Sequence, residues 1–358
     1  MAEVAVPRVL PAAETAGWES YRRDAERYFR WSMGLTAVIT AVWLFFVVTG
    51  RDGGAIFKGY QLNLEAVGRV AMGFLVMSVL WGWLWYGIKS LLLRKLAGFS
   101  KEEVRAVFRS RMSEPFDLPG LLASHPERRV RIADMVGRRG RFLTLGLMGF
   151  TYIYSRIALD PKPDFLYMGT QESLFDALAY SWWMLALYFS DGFLGRMAYG
   201  AQTRIMDGTL GRANCLVITM LWSVFKFLMV PLGFQLSHVF PASTYAPLFA
   251  MVWLSYICAD GASEIVGSLF GKQKLRVWGI GEVNKKSIAG TWACFLTSLA
   301  IGVSLVLANG LPPVWLGLVV AVSVSNTLFE LFSPRGTDDF TMATANALLC
   351  WAFGAIVY

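Results

Sequence analysis

Charged residues and histidines are scarce in this chain. Only 16% of its 358 residues are charged, well below the roughly 25% that is usual in a soluble domain. The two histidines, His125 and His238, lie far apart in the sequence, which argues against a metal site built from histidine. The cysteines lie in or beside apolar runs without paired or metal-ligand spacing, so we expect small buried residues. They are Cys215, Cys258, Cys294 and Cys350.

Apolar residues, by contrast, are abundant and are grouped in blocks. They make up 56% of the chain, and the mean hydropathy is +0.48. The blocks approach the roughly 20 residues that a helix needs to cross a bilayer. The sequence therefore predicts a polytopic membrane protein. Basic cytoplasmic loops explain the net charge of +8 more simply than nucleic-acid binding does, so no nucleic-acid partner is expected.

The apolar blocks predict the fold class directly: an all-α, polytopic transmembrane helical bundle of about nine spans. The predicted spans are about 31–49, 70–93, 142–158, 174–190, 213–236, 245–259, 288–308, 312–329 and 341–357.

The distribution of charge predicts which loops share a side of the membrane. Residues 94–141 contain twelve Lys/Arg and six Asp/Glu, which places this loop in the cytoplasm by the positive-inside rule. The amino terminus is then also cytoplasmic. Counting spans forward places the polar stretches 190–208, 260–290 and 330–340 on the same face. Soluble nucleotides are found there, so a nucleotide-using site is expected on the cytoplasmic face.

The stretch 260–290 is the most polar island between two apolar spans. Asp260 and Glu264 are four residues apart and share one face of a helix. They can be interfacial charges, but a carboxylate at membrane depth usually marks function. The lysines that follow lie in a glycine-rich loop, where they can bind phosphate or anchor the loop at the membrane. They are Lys272, Lys274, Lys285 and Lys286.

The glycines and the serine of this stretch each have a structural alternative. Gly267 and Gly271 form a small-xxx-small face, which suits either close helix packing or the approach of a phosphate to the backbone. Ser287 is predicted to cap the next helix. Lys285 and Lys286 lie at the amino terminus of that helix, which is unfavourable unless an anion binds there.

A second acidic group follows near the carboxyl end. Glu330 ends one span, and Asp338 and Asp339 precede the next. The aspartates can cap the last helix. Together with the first acidic group and the lysines, they would also suit Mg²⁺ bound to a triphosphate. We therefore expect two loops, 260–290 and 330–340, to meet in one site.

These residues resemble the membrane lipid kinases that use CTP, namely dolichol kinase, phytol kinase and the CTP-dependent diacylglycerol kinase of fungi. The resemblance covers roughly 180–358. Its ordered elements are Asp260-Gly261, Glu264, Gly267, Phe270-Gly271-Lys272, Asn284-Lys285-Lys286-Ser287, Gly290, Glu330 and Asp338-Asp339. The phosphatidate cytidylyltransferases are similar in the same region, but the acidic and glycine-rich signature near their carboxyl end is missing here.

The resemblance implies a membrane kinase that uses Mg²⁺ and transfers the γ-phosphate of CTP to a lipid alcohol. It assigns catalysis to Asp260, Glu264, Asp338 and Asp339. It assigns the metal to Asp260, Glu264, Glu330 and Asp339. It assigns the nucleotide to Gly267, Gly271, Lys272, Lys274, Asn284, Lys285, Lys286 and Ser287.

The same resemblance predicts two regions. Residues 1–165 would form an amino-terminal region with two to three spans and the basic loop, and residues 166–358 would form a kinase-like catalytic domain. Two other functions stay open: a cytidylyltransferase that makes a CDP-lipid, and a transporter or lipid-binding scaffold without enzymatic activity. The acceptor lipid and the oligomeric state are also open at this stage.

Overall fold

The computed structural model describes most of the chain. It covers residues 12–49, 68, 71–72, 75–109, 120, 123–159, 171–189, 193–200, 202–205, 215–217, 220–221, 239–277, 284–333 and 337–358.

The described part is almost entirely helical, as the apolar blocks predict. Its helices are α1 Ala12–Thr49, α2 Trp81–Leu96, α3 Lys101–Arg109, α4 Glu127–Leu159, α5 Gln171–Tyr188, α6 Phe193–Gly200, α7 Tyr245–Phe270, α8 Ile288–Ala308, α9 Trp315–Phe332 and α10 Asp338–Val357. A π-helical turn at Leu75–Leu80 precedes α2, and a short 3₁₀ turn at Ala242–Thr244 precedes α7.

Four of these helices are long and apolar enough to cross a membrane. They are α7, α8, α9 and α10, and they correspond to the last four predicted spans. A shorter apolar segment, Phe29–Phe45, lies within α1. The number of nine spans and the cytoplasmic amino terminus stay predictions. Most of the span predicted at 213–236 lies outside the described residues.

The core of the carboxyl-terminal half forms where these four helices meet. Helix α7 packs most extensively against α8, and it also contacts α10 and α9. The packing is close enough to require glycine, because a Cβ on Gly302 of α8 would lie 2.5 Å from Val319 of α9. Many side chains on the outer faces of α8 and α9 are exposed large hydrophobics, such as Trp292 and Val320, as expected of surfaces that face lipid.

The basic stretch before the third predicted span is helical. Helix α4 begins at Glu127, directly after Pro126, whose carbonyl oxygen accepts hydrogen bonds from Arg129 and Val130. It then runs without interruption through the apolar residues to Leu159. Helix α4 packs against both α2 and α7. The basic residues of α4 are therefore held against the carboxyl-terminal bundle by a rigid element.

A two-stranded antiparallel ribbon joins α7 to α8. Strand β1, Lys274–Val277, pairs with β2, Asn284–Ser287, with Lys274 opposite Ser287 and Val277 opposite Asn284. The sequence predicted a glycine-rich loop here, and this ribbon is a departure from the predicted all-α fold class. The alternation of polar and apolar residues covers only four positions in β1, and the polar β2 carries no strand pattern of its own.

A buried ion pair joins α2, α4 and the segment after α6. Lys89 Nζ lies 2.7 Å from Asp134 Oδ1 and donates a hydrogen bond to the carbonyl oxygen of Thr203 at 2.5 Å. The second oxygen of Asp134 accepts the backbone N–H of Ile205 at 3.1 Å. Lys89 is fully buried. Because Asp134 lies one turn before Arg138, this pair fixes the position of the arginines described below.

Candidate active site

The connections between the last four helices bring four helix ends to one side of the bundle. Helices α7 and α9 end there, and α8 and α10 begin there, because the antiparallel ribbon brings the chain back to the end of α7 and a short connection joins α9 to α10. The carboxylates of α7, α9 and α10 are thereby collected in one place. The two loops predicted from the sequence do meet.

Glu330 and Lys286 form the centre of this group. Lys286 Nζ lies 2.6 Å from Glu330 Oε1, and Ser263 Oγ donates to the same oxygen at 3.0 Å. Lys286 Nζ is also 3.8 Å from Asp338 Oδ2. Glu330 is only 4% exposed. A buried carboxylate needs such partners, because an isolated charge there would be costly.

The charge on Lys286 is fixed by these neighbours. Burial lowers the pKa of Lys286, but the carboxylates of Glu330 and Asp338 raise it more, so the net shift of this pKa is upward. Lys286 therefore stays a cation throughout the physiological range, and it can bind an anion at the amino terminus of α8.

Three carboxylates lie close enough to share a metal ion. One oxygen each from Asp260, Glu330 and Asp338 lies within 4.8 Å of the others. Carboxylate oxygens are the ligands that Mg²⁺ prefers. Glu330 Oε2 is buried and has no hydrogen-bond partner among the described residues, which leaves an acceptor available to a cation. The donor set therefore fits Mg²⁺.

The structure places the two aspartates of α10 differently. Asp338 belongs to the three-carboxylate group, whereas the family resemblance implied Asp339 as the metal ligand. Asp339 lies within electrostatic range of Asp260 and Arg139, and its Oδ1 is a buried acceptor with no hydrogen-bond partner in the described part of the chain. Both aspartates lie in the first turn of α10, where the helix dipole stabilises negative charge.

Two arginines that the sequence did not indicate as site residues reach the first acidic group. Arg139 of α4 donates through Nη2 to Asp260 Oδ1 at 2.9 Å, through Nη1 to Asp260 Oδ2 and through Nε to Glu264. Arg138 donates through Nη2 to Glu264. They precede a predicted span, so their sequence pattern is that of positive-inside anchors. No local signal indicates a partner 121 residues further along the chain.

The glycines of the first loop lie where α7 crosses the start of α8. A Cβ on Gly267 would lie 2.8 Å from Ser287 Oγ, and one on Gly290 would lie 2.7 Å from the carbonyl oxygen of Ser263. A Cβ on Gly271 would lie 2.3 Å from the carbonyl oxygen of Gly267. Close packing alone accounts for these glycines, so their predicted contact with nucleotide stays a prediction.

The remaining predicted nucleotide ligands lie on or beside the ribbon. Ser287 caps α8, as predicted, because its Oγ accepts the N–H of Gly290 at 3.1 Å. Lys272 and Lys274 are exposed. Asn284 and Lys285 lie on β2, and their side chains lie outside the described part of the structure.

A layer of buried polar side chains lies deeper in the bundle. Asn326, one turn before Glu330, donates through Nδ2 to Ser298 Oγ at 2.9 Å and to Ser255 Oγ at 3.4 Å. Asn346 of α10 donates to the same oxygen of Ser255 at 3.4 Å. These bonds join all four helices directly below the carboxylates. They hold the helix ends in register, as interhelical hydrogen bonds do in membranes.

Comparison with known proteins gives one distant similarity. Over 108 residues, 30% of this chain, it is 29% identical to the phytol kinase of Synechocystis sp., and it covers 45% of that protein. The chain therefore spans less than half the length of this relative. No protein-family model and no solved structure matches it. The similarity and the apolar helices together indicate a membrane protein.

Proposed function

We propose that this protein is an integral-membrane kinase that transfers a phosphoryl group from a nucleoside triphosphate to the hydroxyl of a lipid alcohol. The observation that carries the proposal is the group of carboxylates around Lys286 at one end of four apolar helices. Such a position lets a charged nucleotide in water meet a lipid held in the membrane. The similarity to a phytol kinase supports this reaction class, and the resemblance noted from the sequence favours CTP as donor.

Phosphoryl transfer needs positioning and charge compensation more than covalent help from the protein. Asp260, Glu330 and Asp338 would hold Mg²⁺, which when bound would neutralise charge on the phosphates. Lys286 lies beside two of these carboxylates and would bind a phosphate oxygen. Its ammonium group is held by Glu330, so little conformational entropy is lost on binding.

Asp339 is the best-placed residue to orient the acceptor. Its Oδ1 is buried and has no hydrogen-bond partner among the described residues, so it can accept a hydrogen bond from the lipid hydroxyl. In the reaction, the bond between the γ-phosphorus and the bridging oxygen breaks, and the lipid oxygen forms the new bond. The hydroxyl proton passes to Asp339. The products are a nucleoside diphosphate and a lipid phosphate.

The test uses purified full-length protein in detergent with Mg²⁺ and CTP or ATP labelled at the γ-phosphate. Phytol, a dolichol and a diacylglycerol are offered as acceptors, and label is followed in the lipid fraction. A kinase labels a lipid and releases nucleoside diphosphate. A parallel reaction offers phosphatidate, a lipid phosphate, from which a cytidylyltransferase would make a CDP-lipid and release the label as pyrophosphate. Absence of label from every lipid would contradict the proposal.

Asp339→Asn tests the role of the carboxylate within this assay. Removing a general base typically lowers the rate constant by about 10²–10⁴-fold, with little change in nucleotide affinity. Glu102→Gln, an exposed acidic residue on α3, is the matched control and should keep the wild-type rate. Full activity in Asp339→Asn would remove this residue from the mechanism.

A further inference from the structure

The arginines of α4 occupy a position that stability alone does not explain. Helix α4 already packs on the carboxyl-terminal core through Phe142, Leu143 and Phe150. A buried ion pair is generally a weak source of stability, because desolvating both charges offsets their attraction. Two adjacent guanidinium groups among these apolar contacts therefore indicate a further role.

The geometry of Arg138 leaves a donor for a ligand. The only acceptor that it contacts in the described part of the chain is Glu264, through Nη2. Its Nε is buried and has no acceptor among the described residues. An unsatisfied buried donor costs about 1–3 kcal/mol, and an incoming oxygen would remove that cost. The Arg138 side chain is 19% exposed, so it lies at the rim of the site.

The charges around the site separate into an outer and an inner group. In the outer group, Arg138 and Arg139 balance Asp260 and Glu264. In the inner group, Lys286 is the one described cation in ion-pair contact with Glu330 and Asp338. The inner group therefore attracts a divalent cation. If that cation also binds Asp260, the N–H groups of Arg139 that donate to Asp260 would become available to a ligand.

We propose that Arg138 and Arg139, which belong to the amino-terminal region of the chain, bind phosphate groups in this site. The ligand class is a magnesium-bound polyphosphate, such as the triphosphate of a nucleotide. The planar guanidinium matches two phosphate oxygens at once, which a lysine ammonium does not. Glu264 orients both arginines and is a positioning residue. This proposal rests on the proposed function, because it names groups that take the phosphates of the donor.

The test measures binding to full-length protein in detergent by calorimetry. The probes are inorganic tripolyphosphate and CTP, each with Mg²⁺. Arg138→Gln should weaken both by about tenfold to a hundredfold, the value of one charge-assisted hydrogen bond. Arg138→Lys keeps the positive charge but loses the planar pair of N–H donors, so it should weaken the binding of both probes to a smaller degree. Arg131→Gln is the matched control, because Arg131 lies on the same helix, is exposed, and pairs only with Glu127 among the described residues.

The outcomes separate this proposal from the kinase proposal. If Arg138→Gln or Arg138→Lys binds magnesium tripolyphosphate as wild type does, the arginine proposal is wrong, even where the protein phosphorylates a lipid. A lower unfolding temperature with unchanged affinity would mean that the arginines only join α4 to α7. If the wild type binds tripolyphosphate through Arg138 but labels no lipid, the arginine proposal stands and the kinase proposal fails. No tripolyphosphate binding by wild type would overturn the arginine proposal.

Discussion

Replacing Lys89 with methionine tests whether the buried ion pair positions α4. In the wild type, Lys89 Nζ lies 2.7 Å from Asp134 Oδ1, and both side chains are almost fully buried. Methionine has nearly the same length and keeps the apolar packing. Among the described residues, it leaves the Asp134 carboxylate with one hydrogen-bond donor, the N–H of Ile205, at 3.1 Å.

The expected loss follows from the uncompensated charge. Breaking one side of a buried pair typically costs about 3–5 kcal/mol, and Asp134→Leu should cost a similar amount because Lys89 is left without its carboxylate. In the double variant no charge remains. Its cost comes from the carbonyl of Thr203 and the N–H of Ile205, which lose their side-chain partners, at about 1–3 kcal/mol each.

The measurement is the free energy of unfolding in mixed detergent and SDS micelles for the two single variants and the double variant. The double variant should cost about 4 kcal/mol less than the sum of the two single effects, because residues in contact are not additive. Lys95 is an exposed basic residue in the last turn of α2, so Lys95→Met should change stability by less than about 0.5 kcal/mol. Strict additivity of the two single effects would refute the reasoning.

Three further predictions concern packing, the polar layer and pH. Gly271→Ala should destabilise the protein by about 1–3 kcal/mol, because its Cβ would lie 2.3 Å from the carbonyl oxygen of Gly267, whereas Gly317→Ala, with open space around it, should be neutral in the same unfolding assay. Asn326→Ala should cost about 1 kcal/mol through loss of its interhelical hydrogen bonds; an unchanged unfolding curve would contradict this. Burial raises the pKa of Glu103, but its hydrogen bonds to His125 and Ser100 lower it more. The pKa is thus depressed on folding, so the amides of α3 should lose protection from hydrogen exchange as pH falls from the ordinary glutamate range through the lowered pKa. Glu103→Gln should remove that pH dependence.

The carboxyl-terminal half illustrates how far the sequence alone reaches. The predicted span 288–308 coincides with α8, and Ser287 caps it as its position before an apolar run predicts. The meeting of Asp260 with Glu330 was also expected from the sequence, because counting the apolar spans places the stretches 260–290 and 330–340 on the same face. Such features depend on local periodicity and on short loops, which a sequence displays directly.

Other parts of the site could not be predicted in this way. Asp338 and Asp339 are adjacent and chemically identical, so only their orientation at the start of α10 gives them different roles. Asp338 joins the three-carboxylate group, and Asp339 is a buried acceptor. The packing role of Gly267 and Gly271 could be recognised only from the structure, because it depends on where α7 crosses the start of α8. The strand β2 depends on pairing with β1, because its own four residues are polar.

The sequence by itself determined that the chain is a membrane protein whose acidic and basic residues gather at the ends of apolar helices. Hydropathy and the order of charged residues along the chain contain that information, because each is a property of neighbouring residues. Only the tertiary structure decided which charges meet. It brought Arg138 and Arg139 of α4 to carboxylates of α7. The physical reason is that an ion pair across packed helices depends on the crossing of those helices and on the position fixed by Lys89 and Asp134, and neither leaves a local pattern in the chain.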